Sequence, residues 1–305
     1  MLMILTICGM DNDTAAIVLP VVTSLLIFLG GGLSKVLYDY LSKRKKTITS
    51  RNILFRWSGM AINATKNQIL ALEELSKSIT DSKVLLPEPL RFSRNMADKL
   101  QDVSADYMTS LFVTNSKPKC GQKDEREKYA FNIVSQYDFL TAIQGEIRNN
   151  YEVYKKVCLD ILVQWNDLMK KSQRDREAMN LSLPDEIVLT GDISVSQTLN
   201  AVFYSYMDGR DRSQDTFIDI FDGFVIPLNK AVDMCKTNYP KSTCGKAIYE
   251  DAREMLLIHR QWKANVEGYS EMFVNIASAL QQSIDSLSAA VEYFENNTKV
   301  KCWCR

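Results

Sequence analysis

Histidine is almost absent. The 305-residue chain contains one, His259, and the commoner zinc sites and general-base arrangements draw on that side chain. Glycine and proline are scarce too, 12 and 7 residues, about half their usual combined share. All-β folds need many turns, so the shortage argues against sandwiches and barrels and for long helices. Neither sign of charge is in excess, with 37 Lys and Arg against 37 Asp and Glu. Without a basic balance there is no electrostatic case for a nucleic-acid partner, and none is expected. Also missing are the GxxxxGK[ST] phosphate loop, the GxGxxG turn, the GxSxG elbow and the HExxH helix.

What is present begins with an uncharged run. Residues 14–34 read TAAIVLPVVTSLLIFLGGGLS, a length that crosses a hydrocarbon layer of about 30 Å as a helix. After Lys35, the side chains of Val36, Leu37, Tyr38, Tyr40 and Leu41 continue the apolar surface, with the tyrosines where aromatic belts sit. Lys43, Arg44, Lys45 and Lys46 follow, whereas only acidic residues, Asp11 and Asp13, precede the run. The positive-inside rule then puts the N-terminus outside and the remainder in the cytoplasm. A cleaved signal peptide would carry its basic residues on the other side of the run. The basic cluster is a topology signal and a candidate contact for anionic lipid. Gly30 and Ser34 have the small-xxx-small spacing that lets helices approach closely within a bilayer.

From residue 49 onward the pattern is helical. Trp57, Met60, Ala61, Ala64, Ala71, Leu72, Leu75 and Ile79 predict a helix over 49–80 that continues from the anchor. Pro87 and Pro89 mark a break, and Phe92, Met96, Leu100, Val103, Tyr107 and Leu111 predict a second helix over 90–114. Two longer seams step 4-3-4-3, from Tyr129 through Ile133, Tyr137, Leu140 and Ile147 to Leu168, and from Ile248 through Met255, Trp262 and Phe273 to Phe294. Helices of this length are stable only when packed lengthwise. Extra apolar residues beside the seams, Phe131, Ile143, Val163 and Leu257 among them, widen the stripe toward a bundle. Between them, Val195–Tyr206 reads as a short helix, 213–236 as another kinked by Pro227, and 174–191 as a loop or helix end around Pro184.

The expected architecture is all-α: an N-terminal single transmembrane helix followed by a long-helix, coiled-coil-like bundle. Its parts are a short extracytoplasmic tail (1–13), the transmembrane helix and interface (14–41), a basic joint (42–48), a cytoplasmic helical bundle (49–296) and a C-terminal tail (297–305). The loops Thr114-Asn115…Pro118-Lys119-Cys120-Gly121 and Thr237-Asn238…Pro240-Lys241…Cys244-Gly245 echo one another. If they reflect duplication, the body divides into similar halves, 49–172 and 181–296.

Site chemistry is thin. Cys158 and Cys235 fall on apolar seams and read as small hydrophobes. Cys120, Cys244, Cys302 and Cys304 are the candidates for a four-cysteine metal site, but the usual C-x₂₋₄-C pairs are absent. His259 occupies a seam position, with Leu256 where a di-iron helix would place glutamate. No cofactor is expected. The reading that follows is a non-catalytic, membrane-anchored scaffold, tether or signal-relay element, packing through its helices against a protein partner or itself. Its rivals are a membrane-tethered enzyme or metal protein using the loop cysteines, and an oligomerising, membrane-perturbing effector.

Overall fold

The structure, a computed structural model, describes residues 12–83, 85–93, 104–113, 122–190, 194–207, 215–235 and 243–298. Within these helices, the side chains of 12–30, 179–190, 194–196, 243–245 and 298 lie outside the description. All regular structure among the described residues is helical: α1 Asn12–Asp81, α2 Ala105–Phe112, α3 Lys123–Thr190, α4 Ser194–Met207, α5 Phe217–Ile220, a π-helical turn Phe221–Val225, α6 Ile226–Cys235 and α7 Thr243–Thr298. The long seams therefore fold as expected. One expectation is narrowed and one corrected. Of the two readings for 174–191, the helix end holds: residues 174–190 are the last turns of α3, with Pro184 carried within them. The fixed φ of proline is compatible with a helix, and its missing N–H removes one backbone bond.

The correction concerns 90–114, of which only Ala105–Phe112 is helical among the described residues. Residues 85–93 instead form an irregular strap. Pro87 and Pro89 bias the residues before them away from helix and remove two backbone donors. The remaining polar groups are met by side chains. The Glu88 amide donates to the Tyr154 hydroxyl (3.1 Å), the Tyr151 hydroxyl donates to the Glu88 carbonyl (3.2 Å), and the Ser93 amide donates to Gln68 Oε1 (2.7 Å). Helix α2 is capped by Ser104, whose backbone is extended and whose hydroxyl accepts from the Tyr107 amide.

The chain divides into two compact units, one of residues 1–59, 103–134 and 290–305, the other of 60–102 and 135–289. The first has an aromatic core. Phe112 is sealed and lies 4.1 Å, ring to ring, from Phe294 and 5.7 Å from Phe55. Tyr129 stacks on Tyr293 at 4.1 Å. Arg51 is buried in the same layer, its guanidinium 5.5 Å from the Phe112 ring centre. Its Nε and Nη2 donate to the Leu111 carbonyl at 3.0 and 2.5 Å. That carbonyl is in the last turn of α2, where unpaired carbonyl groups concentrate the negative end of the helix dipole.

In the second unit the seams of α1, α3 and α7 are buried, with Leu72, Leu140, Met255, Phe273 and Leu280 fully covered. Of the flanking apolar residues, Ile143 is buried and Val163 and Leu257 are exposed, so the buried stripe is narrower in places than the composition implies. Polar residues interrupt it. Ser76, Thr80 and Ser270 form a hydroxyl cluster, with Ser76 Oγ 2.7 Å and Thr80 Oγ1 3.0 Å from Ser270 Oγ. Thr65 is completely buried and its hydroxyl has no partner.

Two stability measurements follow from this packing. Phe112→Ala removes a sealed ring and should cost about 3–5 kcal/mol in chemical denaturation. Thr65→Val replaces an unpaired hydroxyl by a methyl of the same shape and should raise stability by about 1 kcal/mol; a loss of that size instead means that the hydroxyl is bonded in solution.

Candidate functional site

The residues singled out from the sequence fall in three groups. Lys43, Arg44, Lys45 and Lys46 are exposed on consecutive positions of α1. Ser34 donates its hydroxyl to the Gly31 carbonyl (3.1 Å), and Gly30 belongs to the part of α1 whose side chains lie outside the description. Cys120, Cys302 and Cys304 lie outside the described residues, as does the side chain of Cys244 at the start of α7. Both loops of the internal echo fall largely there too. Among the described residues there is no group of three His, Cys, Asp or Glu placed to hold a metal. Cys158 and Cys235 are buried and free, and burial pushes the Cys158 thiol up, so its reactive thiolate is disfavoured.

Among the described residues no helix is long and apolar enough to cross a membrane. The run at 14–34 is helical in its backbone, but most of its side chains lie outside the description. From residue 31 on they are described. Leu33 is 70% exposed and Tyr38 73%, and Val36, Leu37, Tyr40 and Leu41 are each more than half exposed.

The richest side-chain chemistry lies in the second unit, around the π turn. Thr216 and Asp219 form a reciprocal capping box that starts α5. Four residues on, the ladder shifts, and the Ile226 amide bonds the Phe221 carbonyl, five residues back. Pro227 follows at once. It has no N–H and its ring crowds the carbonyl of Gly223, so the wider turn takes up the disturbance that proline forces on a helix. The expected kink thus takes the form of a π turn. Asn229 ties this turn to α7, donating to the Val225 carbonyl (3.0 Å) and the Ala252 carbonyl (2.8 Å). Gly223 admits α4: a Cβ there would meet Tyr206 Cε2 at 3.3 Å.

The turn presents Phe221 to His259, ring to ring at 3.5 Å and 9° from parallel. Phe217 and Trp262 complete the surround at 5.9 and 5.7 Å. Burial lowers the imidazole's proton affinity, partly offset by Asp222 and reinforced by Lys263. His259 is thus a packed, neutral ring at pH 7, as its seam position suggested. On the other side of the turn is a half-open cleft of about 590 Å³, within the range of small-ligand pockets. Met169, Ser172 and Arg176 of α3, Phe203 and Tyr206 of α4, and Phe224 line it. Arg176 sits over the Phe203 ring at 4.4 Å, and the Tyr206 hydroxyl is held by Asp215 at 2.8 Å.

Sequence reasoning missed a cluster between α3 and α7. Lys171 bonds Asp251 Oδ1 and lies 3.5 Å from Asp175 Oδ2. Asp251 falls one position before the seam residue Ala252, and the pattern of apolar residues carries no signal that a carboxylate is buried there. Comparison with protein-family models, with curated proteins and with solved structures returns no match.

The state of His259 is open to test. Because its proton affinity is lowered in the fold, the stability it contributes is present above its unfolded value and lost as pH falls through that range. His259→Phe should therefore match the parent's melting temperature at pH 7.5 and exceed it at pH 5, as read by circular dichroism. Equal losses on acidification in both proteins would show that the imidazole does not titrate this way.

Proposed function

We propose that the chain is a single-pass, membrane-anchored helical protein that works without catalysis, as a scaffold, tether or signal-relay element. One observation carries the reading: α1 runs unbroken from Asn12 to Asp81, joining the uncharged run to a helix whose later seam is buried. Between them its outward side chains from Leu33 to Leu41 have no protein cover. A contiguous apolar surface of that kind marks contact with lipid or with another protein. The exposed Lys43–Lys46 cluster then sits at the cytoplasmic face, each charge contributing about 1 kcal/mol toward anionic headgroups. A stiff helix that passes from the bilayer into a packed body transmits displacement or rotation without a flexible joint. The buried seams favour packing as the mode of action.

The full chain should remain with membranes through both high-salt and alkaline carbonate washes. Replacing Leu26 and Ile27 by arginine costs about 2.5–3.5 kcal/mol each at a span centre and should release it to the supernatant. Extraction of the parent chain by carbonate overturns the anchor. Crosslinking in native membranes should then recover it joined to a helical partner or a second copy; recovery of uncrosslinked monomer alone counts against the scaffold.

A further inference from the structure

Asp251 is the one carboxylate in the fully buried set among the described residues, with its side chain sealed from solvent. Such a group needs a partner, because charge is costly to remove from water. Lys171 supplies one, bonding Oδ1, while Oδ2 has none. Lys171 is also shared with Asp175, so two carboxylates compete for one ammonium and the cluster carries an excess negative charge. The other neighbours do not relieve it. From α6, Asp233 is engaged with Arg253 at 2.6 Å, and Asn229 spends its amide on the Val225 and Ala252 carbonyls. On α7 itself Lys246 lies 4.0 Å from Glu250 and Glu254 is exposed, and on α3 Lys170 and Arg174 are exposed to solvent. A lysine–aspartate pair alone would be neutral; Asp175 is what makes the site short of one positive charge.

We propose that Lys171, Asp175 and Asp251 form a proton-operated latch between α3 and α7, closed by uptake of one proton from solvent on mild acidification. The proton goes to Asp251 Oδ2, the oxygen without a partner. The resulting O–H donates to the Asp175 carboxylate, Lys171 neutralises what charge is left, and the site becomes uncharged overall. Burial first, and then Asp175, push the Asp251 carboxyl up to about 6 against the pull of Lys171. Its proton affinity is raised in the fold. The stability it contributes is therefore complete below the unfolded value of 3.8 and is lost as pH rises through about 6. Between pH 7 and pH 5 the equilibrium for separating α3 from α7 should fall roughly tenfold through this group.

Hydrogen exchange of the full chain, corrected for intrinsic rates, reads this directly in the amides flanking Lys171 and Asp251. Measured against Asp251→Asn, the parent protein should gain roughly tenfold in protection between pH 7 and pH 5. Asp251→Asn, which keeps the shape and removes the titration, should show none of that gain. Asp175→Asn should remove part of it, taking away the share of the rise due to that carboxylate and leaving the share due to burial. His259 responds in the opposite sense but identically in all three proteins, so the difference isolates the latch. The same pH response in Asp251→Asn as in the parent overturns the proposal. If Asp251→Asn fails to fold, carboxyl carbon NMR on the parent and on Asp175→Asn decides it: a midpoint near 4 for Asp251 in the parent rules the latch out.

Discussion

Lengthwise coverage of a single apolar stripe is the constraint on which everything else here depends. Helices of 70, 68 and 56 residues satisfy their own backbone hydrogen bonds but not their side chains, and in water they persist only while the stripe is covered. In the second unit that cover is continuous, through Leu72, Leu140, Ile161, Met255 and Leu280. In the first it comes from rings, with Phe112, Phe294 and Tyr129 packed at centroid separations between 4.1 and 6.5 Å. From residue 31 to Leu41 of α1 there is no cover. The helix there presents leucine, valine and tyrosine side chains outward.

The polar groups inside these layers are tolerated where geometry completes them. Arg51 spends two donors on one carbonyl at the end of α2, where the dipole already favours a cation. Ser76 and Ser270 answer each other across α1 and α7. Asn229 bridges the π turn to α7 through two carbonyls. The Lys171 cluster stands apart because its count of charges does not close, and that imbalance is what makes it responsive to protons.

Local chemistry and tertiary demand coincide at two places. Pro87 and Pro89 keep 85–93 out of helix, which leaves Glu88 free to meet the hydroxyls of Tyr151 and Tyr154. Pro227 shifts the ladder into a π turn, which turns Phe221 onto His259 and leaves Phe224 lining the cleft. In each case a residue that breaks the regular pattern positions side chains that a straight helix would have placed elsewhere.

Periodicity determined the all-helical class, the two long seams and the packed role of His259, because burial of a helix face leaves a 4-3 signature in the chain, and the prolines marked the break at Pro87. It did not determine where helices stop. Residues 174–190 look mixed in sequence, yet they stay helical beyond Gln173, which bonds Glu177, and Arg176, which lies over Phe203; residues 90–93 carry apolar spacing yet lie in a strap. Nor could a hydrophobic pattern announce Asp251, since a buried carboxylate is set by what faces it from α3. The uncharged run is legible in the sequence because it is a property of one segment, whereas the cleft and the ring stack exist only where separate helices meet.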